Sequence, residues 1–133
     1  MMKVKHSFLV FAAAFLMVMP AFAKTGVVYQ RQDSLRIVSL LQQAKAMKKK
    51  PANWMMWFGK QFVGIPYVGG TLDRTREELL VVNTRELDCT TYVEIVTALT
   101  MCAKHQETSF AAFCNHLKHV RYIGGEVAYV KRQ

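Results

Sequence analysis

Leu87-Asp88-Cys89-Thr90-Thr91-Tyr92-Val93-Glu94 is the stretch on which the fold turns, because a capping acid and a cysteine open a long run of apolar periodicity. The spacing predicts a helix from Cys89 to His105, with Val93, Val96, Leu99 and Ala103 along one face and Glu94 in its first turn. Asp88 is a good N-cap, and Thr91 with Glu94 offers a second capping register. Capping at Asp88 puts Cys89 in the first turn, where free amide groups and the helix dipole favour an anionic sulfur. The neighbouring carboxylate opposes that effect unless the cap amides neutralise it. Cys89 is therefore a candidate nucleophile that needs a base to take its proton.

Working upstream, Leu72 to Glu86 is a polar excursion, expected as a surface loop with a short helix around Glu77 to Val81. Before it, Gly64-Ile65-Pro66-Tyr67-Val68-Gly69-Gly70 breaks regular structure, since prolines and paired glycines mark turns and close backbone approaches. Asn53 to Phe62 reads as a helix with an aromatic face of Trp54, Trp57, Phe58 and Phe62, a pattern of core packing rather than of a sugar platform. Earlier still, Leu35, Val38, Leu41 and Ala44 recur at helical spacing from Asp33 to Met47, with Asp33 or Ser34 as cap and Pro51 as the stop. Lys48-Lys49-Lys50 suits a solvated helix end, where cations complement the dipole.

Downstream, Thr108 or Ser109 caps a further helix to about His119, with Phe110, Phe113 and Leu117 turned inward. Val120 to Ile123 and Glu126 to Val130 flank Gly124-Gly125, which predicts a β-hairpin. With the helices preceding the strands, the class expected is α+β.

Residues 1–23 have the form of a secretory leader: Lys3 and Lys5, an apolar run of 12 residues from Phe8 to Met19, then Ala21-Phe22-Ala23 as a cleavage signal. A spanning helix needs about 20 apolar residues, so cleavage after Ala23 is expected, with no membrane anchor and a periplasmic or secreted mature chain, residues 24–133. Its net charge falls from +9 to +7, because two basic residues and no acid leave with the leader. The basic residues are dispersed and no stripe interleaved with aromatics occurs, which excludes nucleic acid as an expected partner. Three cysteines make an odd count for an exported chain. Cys89 and Cys102 share a helix about 20 Å apart and cannot bond; Cys102 with Cys114 is possible, leaving Cys89 free.

Gly64-x-Pro66-Tyr67-x-Gly69-Gly70 followed by Asp88-Cys89-Thr90 resembles the active-site framework of the NlpC-type, papain-like cell-wall cysteine peptidases. More closely, Phe62-Val63-Gly64-Ile65-Pro66-Tyr67-Val68, Gly70-Thr71-Leu72, Glu78-x-Leu80-Val81-Val82-Asn83 and the Leu87–Glu94 stretch resemble a bacterial N-acetylmuramoyl-L-alanine amidase-like family, in order, over about residues 55–130. The resemblance implies a papain-like α+β domain, here the helical half plus the first hairpin of an incomplete antiparallel sheet. It implies attack by Cys89 on an amide of peptidoglycan or a muropeptide, with Tyr67, Asp88 and Thr90 at the oxyanion or substrate side and no cofactor or metal. Thr90-Thr91 replaces the Ser-Gly usual in the broader class, and the Tyr67 to Cys89 stretch is longer.

In that family the catalytic histidine follows the segment that matches Arg121-Tyr122-Ile123-Gly124-Gly125, and the chain stops at Gln133, so a C-terminally truncated and inactive form is expected. His105 would sit about 24 Å along the helix from Cys89, out of reach. His116 and His119 share a face of the next helix, and with Cys114 they match no common zinc spacing. A second reading follows: a non-catalytic cell-wall-binding remnant that keeps the groove without the base.

Overall fold

The computed structural model describes residues 26–133; the leader expected over residues 1–23 lies outside the described residues. Four helices, α1 (Arg31–Ala46), α2 (Trp54–Lys60), α3 (Cys89–Lys104) and α4 (Phe110–Arg121), pack around α3. Strands β1 (Val27–Val28) and β2 (Leu80–Val81) form a parallel pair, Val27 opposite Leu80 and Val28 opposite Val81. None of the described helices is long and apolar enough to cross a membrane.

Helix ends follow local chemistry. The Asn53 side chain accepts the Met56 amide at the start of α2, and Ser109 accepts the Ala112 amide at the start of α4. At α1 the cap is Gln30, one turn earlier than expected, and Asp33 is its third helical residue, receiving the Gln30 amide at 2.8 Å. The buried face of α1 is Ile37, Leu40, Leu41 and Ala44, while Leu35 is exposed. In α3 the buried set is Ile95, Val96, Ala98, Leu99 and Cys102, and Val93 is exposed. Because α3 is enclosed by three other helices, most of its circumference is apolar and a single stripe does not define its inner face.

Two ionic ties hold the layers together. Asp33 is fully buried and accepts the Thr84 amide, the Thr84 hydroxyl and Arg85 Nε. Burial alone would raise its carboxyl, but these bonds and the Gln30 amide outweigh it and hold the group below its ordinary range. Arg121, also buried, donates to Glu94 Oε2 at 2.8 Å and to the Val81 carbonyl at 2.7 Å, joining α4, α3 and β2.

The expected hairpin is absent. Val120 and Arg121 finish α4, since Arg121 lies one turn beyond buried Leu117 on the inward face and is anchored by Glu94. The glycine pair does reverse the chain, with Gly124 and Gly125 at φ 68 and 70 and the Gly125 amide bonded to the Tyr122 carbonyl. Instead of a second strand, Tyr129–Lys131 coils into a 3-10 turn, and only Tyr122 and Arg132 pair across the reversal. The short helix expected near Glu77 is also absent. Glu78 is drawn to Arg132 and Tyr122, and the next residues enter β2. Strands therefore do not follow the helices: β1 precedes α1 and β2 lies between α2 and α3.

Candidate functional site

The N-terminus of α3 opens with a reciprocal cap. Asp88 Oδ1 accepts the Thr91 amide at 2.8 Å and the Thr91 hydroxyl at 2.7 Å, and the Asp88 amide donates back to Thr91 Oγ1 at 3.0 Å. The Asp88 carboxylate is thus engaged with the first turn. Cys89, the first residue of α3, is exposed, and its Sγ lies 4.0 Å from Thr90 Oγ1.

A cavity of about 220 Å³ lies at this helix end, lined by Phe62, Ile65, Tyr67, Leu87, Asp88, Cys89 and Tyr92. Tyr67 reaches it because the turn after α2 is sewn to the segment before α3. The Leu87 amide donates to the Pro66 carbonyl and the Val68 amide to the Leu87 carbonyl, each at 3.1 Å, a parallel bridge at Tyr67. Tyr67 is 74% exposed, so its ring forms a rim rather than a core contact. Gly64, at φ 88, makes the bend that carries the chain out of α2.

Three of the four expected site residues, Tyr67, Asp88 and Cys89, share this cavity. Thr90 instead lines a second, more polar cavity of about 200 Å³ with Thr71, Asp88, Arg121 and Arg132. Thr71 Oγ1 is buried there with no hydrogen-bond partner. Arg132 is tied to Glu78 and Asp73, each at 2.7 Å. Burial would raise Glu78, yet the bonds from Arg132 and Tyr122 keep it below its usual value; burial, then Glu78, push the Tyr122 phenol up to about 12.

Sequence reasoning missed Phe62, Ile65 and Tyr92 as groove walls. Tyr92 was signalled by its position three residues after Cys89, which places it on the same helix face. Its hydroxyl marks the close approach of α2: a Cβ built on Gly59 would meet it at 2.6 Å. Glycine at 59 lets the tyrosine take its place in the groove.

Among the described residues no histidine borders the Cys89 cavity. His105 caps the far end of α3, His116 bonds Glu107 at 2.6 Å, and His119 bonds the Asn115 carbonyl at 2.8 Å. Cys102 and Cys114 are buried and unbonded to each other. Burial, with Glu107 and Cys114 nearby, pushes Cys102 up to about 12, and burial pushes Cys114 up to about 11.

A family model described as AmiA-like, N-acetylmuramoyl-L-alanine amidase-like, matches residues 57–133, more than half of the chain and the region that holds this groove. The chain belongs to that N-acetylmuramoyl-L-alanine amidase-like family. It is similar to the crystal structure of an N-acetylmuramoyl-L-alanine amidase from Bacteroides uniformis at 35% identity and TM-score 0.55, covering 68% of this chain and 35% of that one. It is also similar to a Bacteroides fragilis protein provisionally named a xylanase, at 35% identity and TM-score 0.54, covering 58% and 34%. The match thus spans about a third of the solved relatives' length. No curated protein matches the chain.

Proposed function

We propose that this amidase-like domain is the nucleophile-bearing part of an exported cysteine hydrolase that cleaves an amide of peptidoglycan, between muramic acid and L-alanine or within the stem peptide. One observation carries the reading: within the residues matched to the family, a groove is headed by an exposed cysteine at the first position of a capped helix. Attack by the Cys89 sulfur on the amide carbon would form a tetrahedral oxyanion and then a thioester, with expulsion of the amine and later hydrolysis by water. The Cys89 backbone amide, unpartnered within its helix because it lies in the first turn, and the Tyr67 hydroxyl are the donors proposed for the oxyanion. The apolar wall of Phe62, Ile65 and Tyr92 suits the aliphatic part of the substrate, and the polar cavity beyond Thr90 suits its amide and carboxylate groups. The papain-like ancestry of the domain belongs to this proposal and is supported by the cysteine-headed helix, not by a sheet.

The experiment is alkylation combined with turnover on purified muropeptides. Cys89 is expected to react faster than a free cysteine, and Cys89→Ala to abolish release of the amine product by a protein that carries the complete site. A Cys89 no faster than free cysteine, or full activity in Cys89→Ala, defeats the proposal.

A second reading has its own observation, the absence of a histidine beside the cavity among the described residues. Under it the domain binds cell wall without cutting it, and the 133-residue chain shows no turnover. Retention on insoluble peptidoglycan, unchanged in Cys89→Ala and without enhanced alkylation, distinguishes this reading.

A further inference from the structure

Cys102, Glu107 and His116 come together at the other end of α3, with their sulfur, carboxylate and ring-nitrogen atoms all within 4.8 Å of one another. Three separate pieces of structure converge to do this. α3 ends in a Schellman motif, in which Gln106 takes the left-handed conformation at φ 58, its amide bonds the Ala103 carbonyl, and the Glu107 amide bonds the Cys102 carbonyl at 3.0 Å. That last bond folds Glu107 back over the turn that carries Cys102. α4 then returns alongside α3 and brings His116 to Glu107 at 2.6 Å, with the His105 ring stacked on the His116 ring at 5.6 Å.

The chemistry of the set is that of a borderline-soft divalent cation. A buried thiol and a carboxylate beside it repel as anions, which disfavours a thiolate in the free protein, and His116 bonds only one carboxylate oxygen. Thiolate, imidazole and carboxylate are together the donors that zinc takes, and tetrahedral zinc with its usual bond lengths holds donor atoms about 3.3–3.8 Å apart. Closing the cluster onto an ion asks for side-chain shifts of roughly 1 Å, with water or His105 completing four-coordination.

We propose that Cys102, Glu107 and His116 form a divalent transition-metal site of the zinc class that clips the α3–α4 corner. Binding releases the Cys102 thiol proton to solvent, and the proton held between His116 Nε2 and Glu107 moves to His116 Nδ1 or to solvent, so that Nε2 and the carboxylate can both coordinate. The site lies about 20 Å along α3 from Cys89, so its role is structural and independent of the proposed hydrolysis.

Cobalt is the probe, in a Cys89→Ser background that removes the exposed thiol. The protein should take up one equivalent of Co²⁺, saturably, with a sulfur-to-cobalt charge-transfer band in the near ultraviolet and the visible bands of four-coordination, both displaced by Zn²⁺. Glu107→Gln and His116→Gln should each weaken uptake at least about tenfold, since losing even a group that only supports a ligand costs about that much, and Cys102→Ala should remove the charge-transfer band. Zn²⁺ should also raise Tm in the parent background and not in Cys102→Ala. The idea is overturned by the lack of saturable uptake, or by a band that survives Cys102→Ala and so arises from Cys114. Should Cys102→Ala fail to fold, unaltered uptake in Glu107→Gln, whose side chain is partly exposed, is enough to reject the site.

Discussion

The two ends of α3 each present a cysteine, and the contrast between them shows how far surroundings decide what a thiol does. At the N-terminus Cys89 is exposed, directly after the capping residue Asp88 and on the edge of an apolar groove. At the C-terminal end Cys102 has no exposure, stands beside a carboxylate and a second buried thiol, and is pushed up to about 12. One is available to an electrophile in solution and the other faces the Glu107 and His116 groups of the α3–α4 corner.

Alkylation of the folded protein gives the largest expected difference. Iodoacetamide should modify Cys89 at least about 10³-fold faster than Cys102, because Cys102 has no exposure and reacts only through opening, which a domain of ordinary stability makes rare. Mass mapping of the labelled thiols checks this, and comparable labelling of Cys102 would break the contrast. Next, Arg121→Ala should cost about 3–5 kcal/mol in urea unfolding, since it leaves Glu94 buried without its partner and removes the link from α4 to β2. A loss below about 1 kcal/mol would mean that Glu94 finds water there.

Serine substitutions separate the two ends directly. Cys102→Ser should destabilise by about 1–3 kcal/mol by burying an extra hydroxyl, whereas Cys89→Ser should stay within about 0.5 kcal/mol of the parent. Asp88→Ala removes the cap and should cost about 1 kcal/mol, while perturbing Cys89 alkylation and leaving Cys102 protected. The smallest effect is expected for Tyr67→Phe, which at 74% exposure should leave Tm unchanged and report only on turnover.

The same contrast explains what the sequence disclosed. The Cys89 end is encoded within a few adjacent residues: Asp88 as cap, Thr91 three positions on, and a periodic run behind them, so the helix start was legible to the residue. Asn53 and Ser109 marked two more helices in the same local way. The Cys102 end needs α3, the Gln106 turn and α4 at once, and no window of sequence holds all three. Distant partners also account for the misreadings. Val120-Arg121 has strand-like composition but is helical because Glu94 and Val81 receive Arg121, and Glu78 leaves its expected helix for Arg132, 54 residues away. Leu35 and Val93 lie outside the core because packing, not hydrophobicity alone, chose the inner face of α1 and α3. The pairing of Val27 with Leu80 has no local signal at all.

Gly59 separates the shape of the groove from its chemistry. It lies on α2, outside the groove lining, yet the space it leaves vacant is where the tip of Tyr92 rests. Any side chain there would meet the Tyr92 hydroxyl at 2.6 Å and force that ring to move, which changes the groove wall without replacing a residue of its lining. The placing of one groove wall thus depends on a hydrogen atom one layer back, at a position that lies outside the lining itself.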